Sequence, residues 1–245
     1  MTRLKLPQGL PQRTDALRAF ESQLTGLNDI YWLLRAANQD FTARGNADAR
    51  LSSYVQAPVL AKLDITKREL SDVVSDVEMK MRHMMLVSAV SYHEDYIATA
   101  LESVFERPSY NSGLSSIKIR LADISPDGLT KAEIEKKVIQ SKIDDIIKSR
   151  YSERMKYIIN VISKATGNDI RTMWTDDQLG SAPFEARNCV VHCAGFADAR
   201  AVSELGWLYP GLREGDLLPL NEESLWRMFG ALRDMARIID LGIRS

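Results

Sequence analysis

The stretch LVSAVSYHEDYIATALESV, residues 86–104, decides the fold class. Five of its apolar residues recur at intervals of three, four or seven positions, which places them on one face of an α-helix: Leu86, Val90, Ile97, Leu101 and Val104. The helical pattern extends from Pro58, a residue suited to a first helical turn, to about Arg107. A span of about 50 residues is long for one helix, so we expect a kink or turn near residues 63–66.

The rest of the chain carries the same helical signals. N-cap residues and a capping box mark three further helix starts: Thr14 and Asp15, Thr130 with Glu133, and Asn221. Residues 108–128 are the least helical stretch and contain glycine, proline and a run of serines. We therefore predict an all-α helical bundle in a single domain, residues 1–245, with one irregular insertion at about residues 108–128.

Composition limits the class of protein. Lys and Arg number 32 against 33 Asp and Glu, which argues against a long, non-specific electrostatic footprint on nucleic acid but not against a local basic site. The two cysteines, Cys189 and Cys193, are four residues apart and form no disulfide framework, which favours a reducing compartment. No apolar run reaches the roughly 18 residues of a membrane span. We expect a soluble, cytoplasmic protein without a membrane partner.

The segment FEARNCVVHCAGFA, residues 184–197, carries the candidate chemistry. Arg187 precedes His192 with four residues between them, and Asn188 follows the arginine directly. Metal-free RNA cleavage needs a group that takes the 2′-OH proton, positive charge on the phosphate oxygens, and a proton for the departing 5′-oxygen. Histidine suits the acid–base work, and arginine suits the phosphate. We predict His192 as the acid–base residue, Arg187 as the phosphate-stabilising residue and Asn188 as a supporting donor.

The positions of these residues around the helix axis predict that the site needs a second copy of the chain. We expect one helix to begin at Pro183 and to run to about Arg200. At about 100° per residue, Arg187 and His192 lie roughly 140° apart around its axis, whereas Asn188 and His192 share a face. One helix therefore makes an incomplete site. A homodimer about a two-fold axis would assemble a composite cleft.

Residues 187–192 resemble the Arg-x4–6-His motif of the HEPN superfamily, including the polar residue favoured after the arginine. Residues 86–101 are similar to an early HEPN helix, in which an acidic residue sits amid aromatic and apolar ones. This resemblance implies a HEPN-like bundle, a dimer with both motifs at its interface, and metal-independent endoribonuclease activity. It further implies a toxin or phage-defence effector that cuts tRNA or mRNA and is restrained by an antitoxin or regulatory protein. No cofactor and no metal are expected.

Alternative interpretations stay open. Cys189, His192 and Cys193, with Glu185 one turn earlier, are residue types that bind zinc, but no second pair of ligands is near them in the sequence. Glu94 is either part of a structural polar cluster with its neighbours or a residue that orients His192 or Arg187 from another helix. A non-catalytic HEPN-like dimeric module that binds RNA, nucleotides or a protein is the alternative function. In a helical adaptor outside the family, the motif would be coincidental.

Overall fold

The computed structural model describes residues 13–43, 50, 66–107, 130–173 and 177–244. Seven α-helices and one short 3-10 turn occupy these residues: α1 (Asp15–Ala43), α2 (Lys67–Phe105), α3 (Lys131–Lys148), α4 (Tyr151–Thr166), the 3-10 turn (Arg171–Met173), α5 (Asp177–His192), α6 (Ala199–Leu205) and α7 (Glu222–Arg244). The predicted insertion at residues 108–128 lies outside the described residues, and so does the predicted kink or turn near residues 63–66 apart from Thr66.

The predicted all-α fold class is confirmed. Apart from two isolated bridges, between Arg50 and Thr66 and between Phe196 and Leu217, the described residues contain no β-structure. None of the helices in the described segments combines the length and the apolarity needed to cross a bilayer. The described part of the chain is built from α-helices.

Several helices begin or end at a capping side chain or a glycine that is recognisable in the sequence. The Thr130 hydroxyl accepts from the Glu133 backbone N–H, and the Glu133 carboxylate accepts from the Thr130 backbone N–H, so the predicted capping box is present. Helix α4 ends at Gly167, whose φ of 78° is the left-handed conformation that glycine adopts without strain. The Asn221 side chain accepts from the Ser224 N–H at 2.8 Å, as predicted for the start of α7.

The predicted helix from Pro183 to Arg200 is wrong at both ends. Helix α5 begins at Asp177, and Pro183 lies inside it. It ends at His192 because Ala194 and Gly195 have positive φ angles of 53° and 87°, which no right-handed helix contains. Residues up to Arg200 belong to a turn and to the start of α6, which Asp198 caps by accepting from the Ala201 N–H at 2.7 Å.

The chain divides into two compact units. The first unit draws on the described parts of Met1–Ser22, Val90–Phe184 and Gly230–Ser245, and the second on those of Gln23–Ala89 and Glu185–Phe229. Helices α1, α2, α5 and α7 contribute residues to both units. A single domain for residues 1–245 stays a prediction.

In the first unit, a buried carboxylate ties the start of α1 to the end of α7. Asp240 is fully buried, and its Oδ1 accepts from both the backbone N–H and the hydroxyl of Thr14. Its other oxygen lies 2.7 Å from Nε of Arg244. Thr14 in turn accepts from the Leu17 N–H, so the same contact caps α1. These hydrogen bonds and the ion pair offset the free energy that each polar group would cost if it were buried without a partner.

His93 of the first unit is buried in an aromatic environment. The ring centroids of Phe20 and Phe184 lie 5.6 and 5.7 Å from that of His93, both in edge-on geometry, and Tyr96 lies at 6.3 Å. Neither ring nitrogen of His93 has a hydrogen-bond partner among the described residues. The structural interpretation of the polar cluster around Glu94 expected hydrogen-bonded polar groups; His93 differs from it, because it packs as an aromatic ring without a hydrogen bond to the described residues.

His93 is expected to make the stability of the protein depend on pH. Burial, aided by the positive charge of Arg154, lowers the pKa of His93 to about 3 from an unfolded value of 6.5. The unfolded chain therefore binds a proton that the folded chain rejects, so stability is full above pH 6.5 and falls as the pH drops towards 3. The loss approaches about 1.4 kcal/mol for each pH unit below 6.5.

Urea denaturation at pH 7.5 and pH 5.0 measures this effect. His93→Leu should show a smaller loss of unfolding free energy between the two pH values than the wild-type chain, because carboxylate titration is common to both proteins. Equal losses in the two proteins would contradict a neutral, buried His93.

Candidate active site

Helix α5 carries all three predicted catalytic residues on its last two turns. Arg187 and Asn188 are half-buried, and His192, the final helical residue, is exposed. The helix is continuous through this segment, so the expected angle of roughly 140° between Arg187 and His192 applies, and Asn188 and His192 share a face. The structure thus leaves the imidazole open to solvent at the helix end.

Accessibility separates the three histidines of the chain. His83 and His93 are buried, whereas His192 is exposed. Burial also lowers the pKa of His83, with a hydrogen bond to the Leu218 backbone acting in the opposite direction, and lowers that of His93. Only His192 is placed to exchange protons with a ligand from solution.

The buried face of α5 holds the helix in the second unit. Ala186 and Cys189 are buried, and the buried carboxylate of Glu185 pairs with Arg200 at the start of α6. Because a buried carboxylate is costly without a partner, this ion pair fixes α5 relative to α6 within the unit. His192 lies within about 20° of Glu185 around the helix axis, and it is exposed at the end of the helix.

The chain reverses immediately after His192. The Cys189 carbonyl accepts from the N–H groups of both Cys193, at 3.1 Å, and Gly195, at 3.0 Å, and the Phe196 N–H donates to the Cys193 carbonyl at 2.9 Å. The positive φ angles of Ala194 and Gly195 make this reversal possible. The small residues noted after the histidine in the sequence are therefore those that form the turn.

Residues 215–218, in the same unit, form backbone hydrogen bonds with the turn. The Ala197 N–H donates to the Asp216 carbonyl and the Gly215 N–H to the Ala197 carbonyl, each at 2.8 Å. The Leu218 N–H donates to the Gly195 carbonyl, also at 2.8 Å. These three bonds surround the isolated bridge between residues 196 and 217 and hold the end of α5 on both sides.

His83, on α2, packs against this turn. A Cβ atom on Gly195 would lie 3.1 Å from Cε1 of His83 and 3.3 Å from Cδ1 of Leu217, so both side chains rest on the bare face of the glycine. The glycine is thus required by its backbone conformation and by its close neighbours.

Gly195→Ala is expected to lower the free energy of unfolding by about 1–3 kcal/mol, because alanine is strained at a φ of 87° and meets His83. Gly211→Ala is the matched control, since Gly211 has a φ of 92° and nothing within 4 Å of a built Cβ. Urea denaturation of both variants separates the two contributions. Equal losses would show that the contact with His83 adds nothing.

The described residues do not provide the set of ligands that the zinc alternative requires. The Cys189 thiol is buried and donates to the Phe196 carbonyl at 3.2 Å, and burial raises its pKa to about 11, so the thiolate that zinc binds is disfavoured. The Glu185 carboxylate is paired with Arg200. Among the described residues, no group of three or more His, Cys, Asp or Glu side chains converges on one point.

Glu94, predicted as a supporting residue, belongs to the first unit. Its Oε1 lies 3.2 Å from Nη1 of Arg154, whose guanidinium also bonds to the carbonyls of Ile147 and Ser149 and stacks over Phe184. This network closes the connection between α3 and α4. A role for Glu94 in orienting His192 or Arg187 stays a prediction.

No sequence pattern singles out two of the residues beside the site. His83 lies more than 100 residues before His192, and Phe196 lies just beyond the motif. Only the packing of the second unit brings His83 against the turn that follows His192. Phe196 is half-exposed although it is strongly apolar, a property that sequence alone does not reveal.

Comparison with known proteins adds no relative: the chain matches no protein-family model, no curated protein and no solved structure. Membership of the HEPN superfamily therefore stays a prediction from the motif. The functional assignment depends on the residues of α5 and the turn that follows it.

Proposed function

We propose that the chain is a metal-independent endoribonuclease of the HEPN type, and that it serves as a toxin or anti-phage effector. Its substrate class is cellular RNA, tRNA or mRNA, in a cytoplasmic setting. The observation that supports this proposal most strongly is the exposure of His192 at the end of α5, with Arg187 and Asn188 in the preceding turns. The other two histidines of the chain are buried.

In the proposed reaction, His192 takes the proton of a ribose 2′-OH, and the resulting oxygen attacks the adjacent phosphorus. Arg187 stabilises the negative charge that develops on the phosphate oxygens, with Asn188 as an additional donor. The bond from phosphorus to the 5′-oxygen breaks, and the protonated His192 imidazole gives that oxygen the proton it took from the 2′-OH. The products are a 2′,3′-cyclic phosphate and a 5′-OH.

The proposed active form is a homodimer. Because Arg187 and His192 point in directions roughly 140° apart, one helix end presents an incomplete set of groups to a single phosphate. A two-fold pairing that brings two α5 ends together supplies the missing group from the partner. An antitoxin or regulatory protein would restrain such an enzyme in the cell.

Expression in a bacterial host tests the proposed toxin activity. The wild-type chain should suppress growth, and Arg187→Ala and His192→Ala should relieve the suppression at equal protein levels. Arg233→Ala is the matched control, because Arg233 is an exposed arginine on α7 in the first unit. Growth suppression that persists in both motif variants would contradict the proposed role of the motif.

A further inference from the structure

Phe196 presents an aromatic side chain to solvent just beyond the predicted catalytic helix end. It is 51% exposed, and its bridge partner Leu217 is 38% exposed. Both are strongly apolar residues that a folded chain gains by burying. Their exposure leaves apolar surface that a ligand could contact.

The backbone around Phe196 is held on every side. Its N–H donates to the Cys193 carbonyl, and its carbonyl accepts from the buried Cys189 thiol. The neighbouring residues are fixed too, since the Gly195 carbonyl accepts from Leu218 and the Ala197 N–H donates to Asp216. The exposed ring therefore stands on a rigid base, which lowers the entropy lost when a ligand is bound.

Phe196 is also close to the catalytic histidine. Standard bond lengths and the hydrogen bond from Phe196 to Cys193 put the Cα atoms of His192 and Phe196 at most roughly 11 Å apart. Two arginines belong to the neighbouring elements: Arg187 lies on α5, and exposed Arg213 lies on the segment that bonds to the turn. The Asp216 carboxylate accepts from the Arg213 backbone N–H.

A planar, uncharged group attached to phosphates is the ligand that fits an exposed aromatic ring next to the residues proposed to bind a phosphate. Unpaired RNA bases stack on aromatic rings in this way, while arginines hold the backbone. We infer that Phe196 is a stacking platform for an unpaired RNA base next to the phosphate that Arg187 and His192 engage. This inference rests on the proposed function.

Binding of a short, fluorescently labelled single-stranded RNA tests the platform. The full-length His192→Ala chain serves as the parent, because it should bind RNA without cutting it. Adding Phe196→Leu keeps an apolar side chain but removes the ring, and should weaken binding about tenfold. Adding Phe196→Tyr should restore binding to within about twofold. Leu33→Ala, at an exposed apolar residue on α1 of the same unit, is the control and should leave binding unchanged.

An RNA series with one abasic nucleotide at each position identifies the stacked base. At one position, base removal should weaken binding to the parent but not to the Phe196→Leu protein, because both changes remove the same contact. Equal binding by the Phe196→Leu and parent proteins would overturn the inference. So would a lower dimer fraction of Phe196→Leu in sedimentation velocity, since Phe196 would then contact a second copy of the chain.

Failure of the two proposals can be told apart. Wild-type cleavage that continues while Phe196→Leu changes neither binding nor cleavage overturns the platform alone. Absence of both RNA cleavage and RNA binding by every form overturns the platform together with the proposed function.

Discussion

His192→Ala is expected to reduce RNA cleavage by about a thousandfold or more, because the variant loses the group that moves protons in the reaction. The side chain is exposed at the end of α5, so its removal should leave the fold unchanged. Arg187→Ala should lower the rate by a similar order, since the phosphate charge then lacks its stabilising cation. Initial rates on purified tRNA, with circular dichroism and urea denaturation of each variant, measure both effects.

One control and one further site variant accompany this experiment. Arg233→Ala removes an exposed arginine from the first unit and should cleave at the wild-type rate. Asn188→Ala should fall between the wild-type chain and His192→Ala, because an amide donor supports the phosphate without carrying charge. A His192→Ala protein that cuts RNA as fast as the wild type would rule out the proposed mechanism.

Asp240→Ala is expected to cost about 3 kcal/mol of unfolding free energy, the largest stability loss of any single change proposed here. The substitution removes the acceptor of the Thr14 N–H and hydroxyl and leaves Arg244 without its buried carboxylate. The loss is a large share of the stability of an ordinary domain. Urea denaturation at pH 7.5 measures it.

Asp240→Asn separates shape from charge. It keeps an oxygen for the Thr14 hydroxyl but loses the charge that faces Arg244, so its cost should be smaller than that of Asp240→Ala. Asp234→Ala, on the same helix but partly exposed, should change stability by less than about 0.5 kcal/mol. If Asp240→Ala were as mild as Asp234→Ala, the Thr14 contact would not tie α1 to α7.

Local chemistry explains which helix ends could be predicted from sequence. The capping box at Thr130 and the stop at Gly167 depend on residues that contact only their own helix. The end of α5 depends on Ala194 in a left-handed conformation, which alanine adopts only when distant contacts hold it there. Pro183 was expected to open a helix, yet it lies within α5. For the turn after α5, the backbone hydrogen bonds with residues 215–218 are such distant contacts.

The candidate site, too, could be predicted only in part from the sequence. Arg187, Asn188 and His192 were found from residue types and spacing, because acid–base work and phosphate binding need particular side chains. The exposure of His192 and the burial of the other two histidines required the structure. The approach of His83 to Gly195 joins segments more than 100 residues apart, and neither residue carries a signal of the other.

Incubation of total RNA and purified tRNA with the wild-type chain in EDTA tests the central claim most directly. The proposed mechanism predicts cleavage that persists without divalent metal and that leaves 2′,3′-cyclic phosphate and 5′-OH ends. Dephosphorylation and relabelling of the fragments identify those ends. Cleavage that EDTA abolishes, or fragments that carry 5′-phosphate and 3′-OH ends, would contradict it.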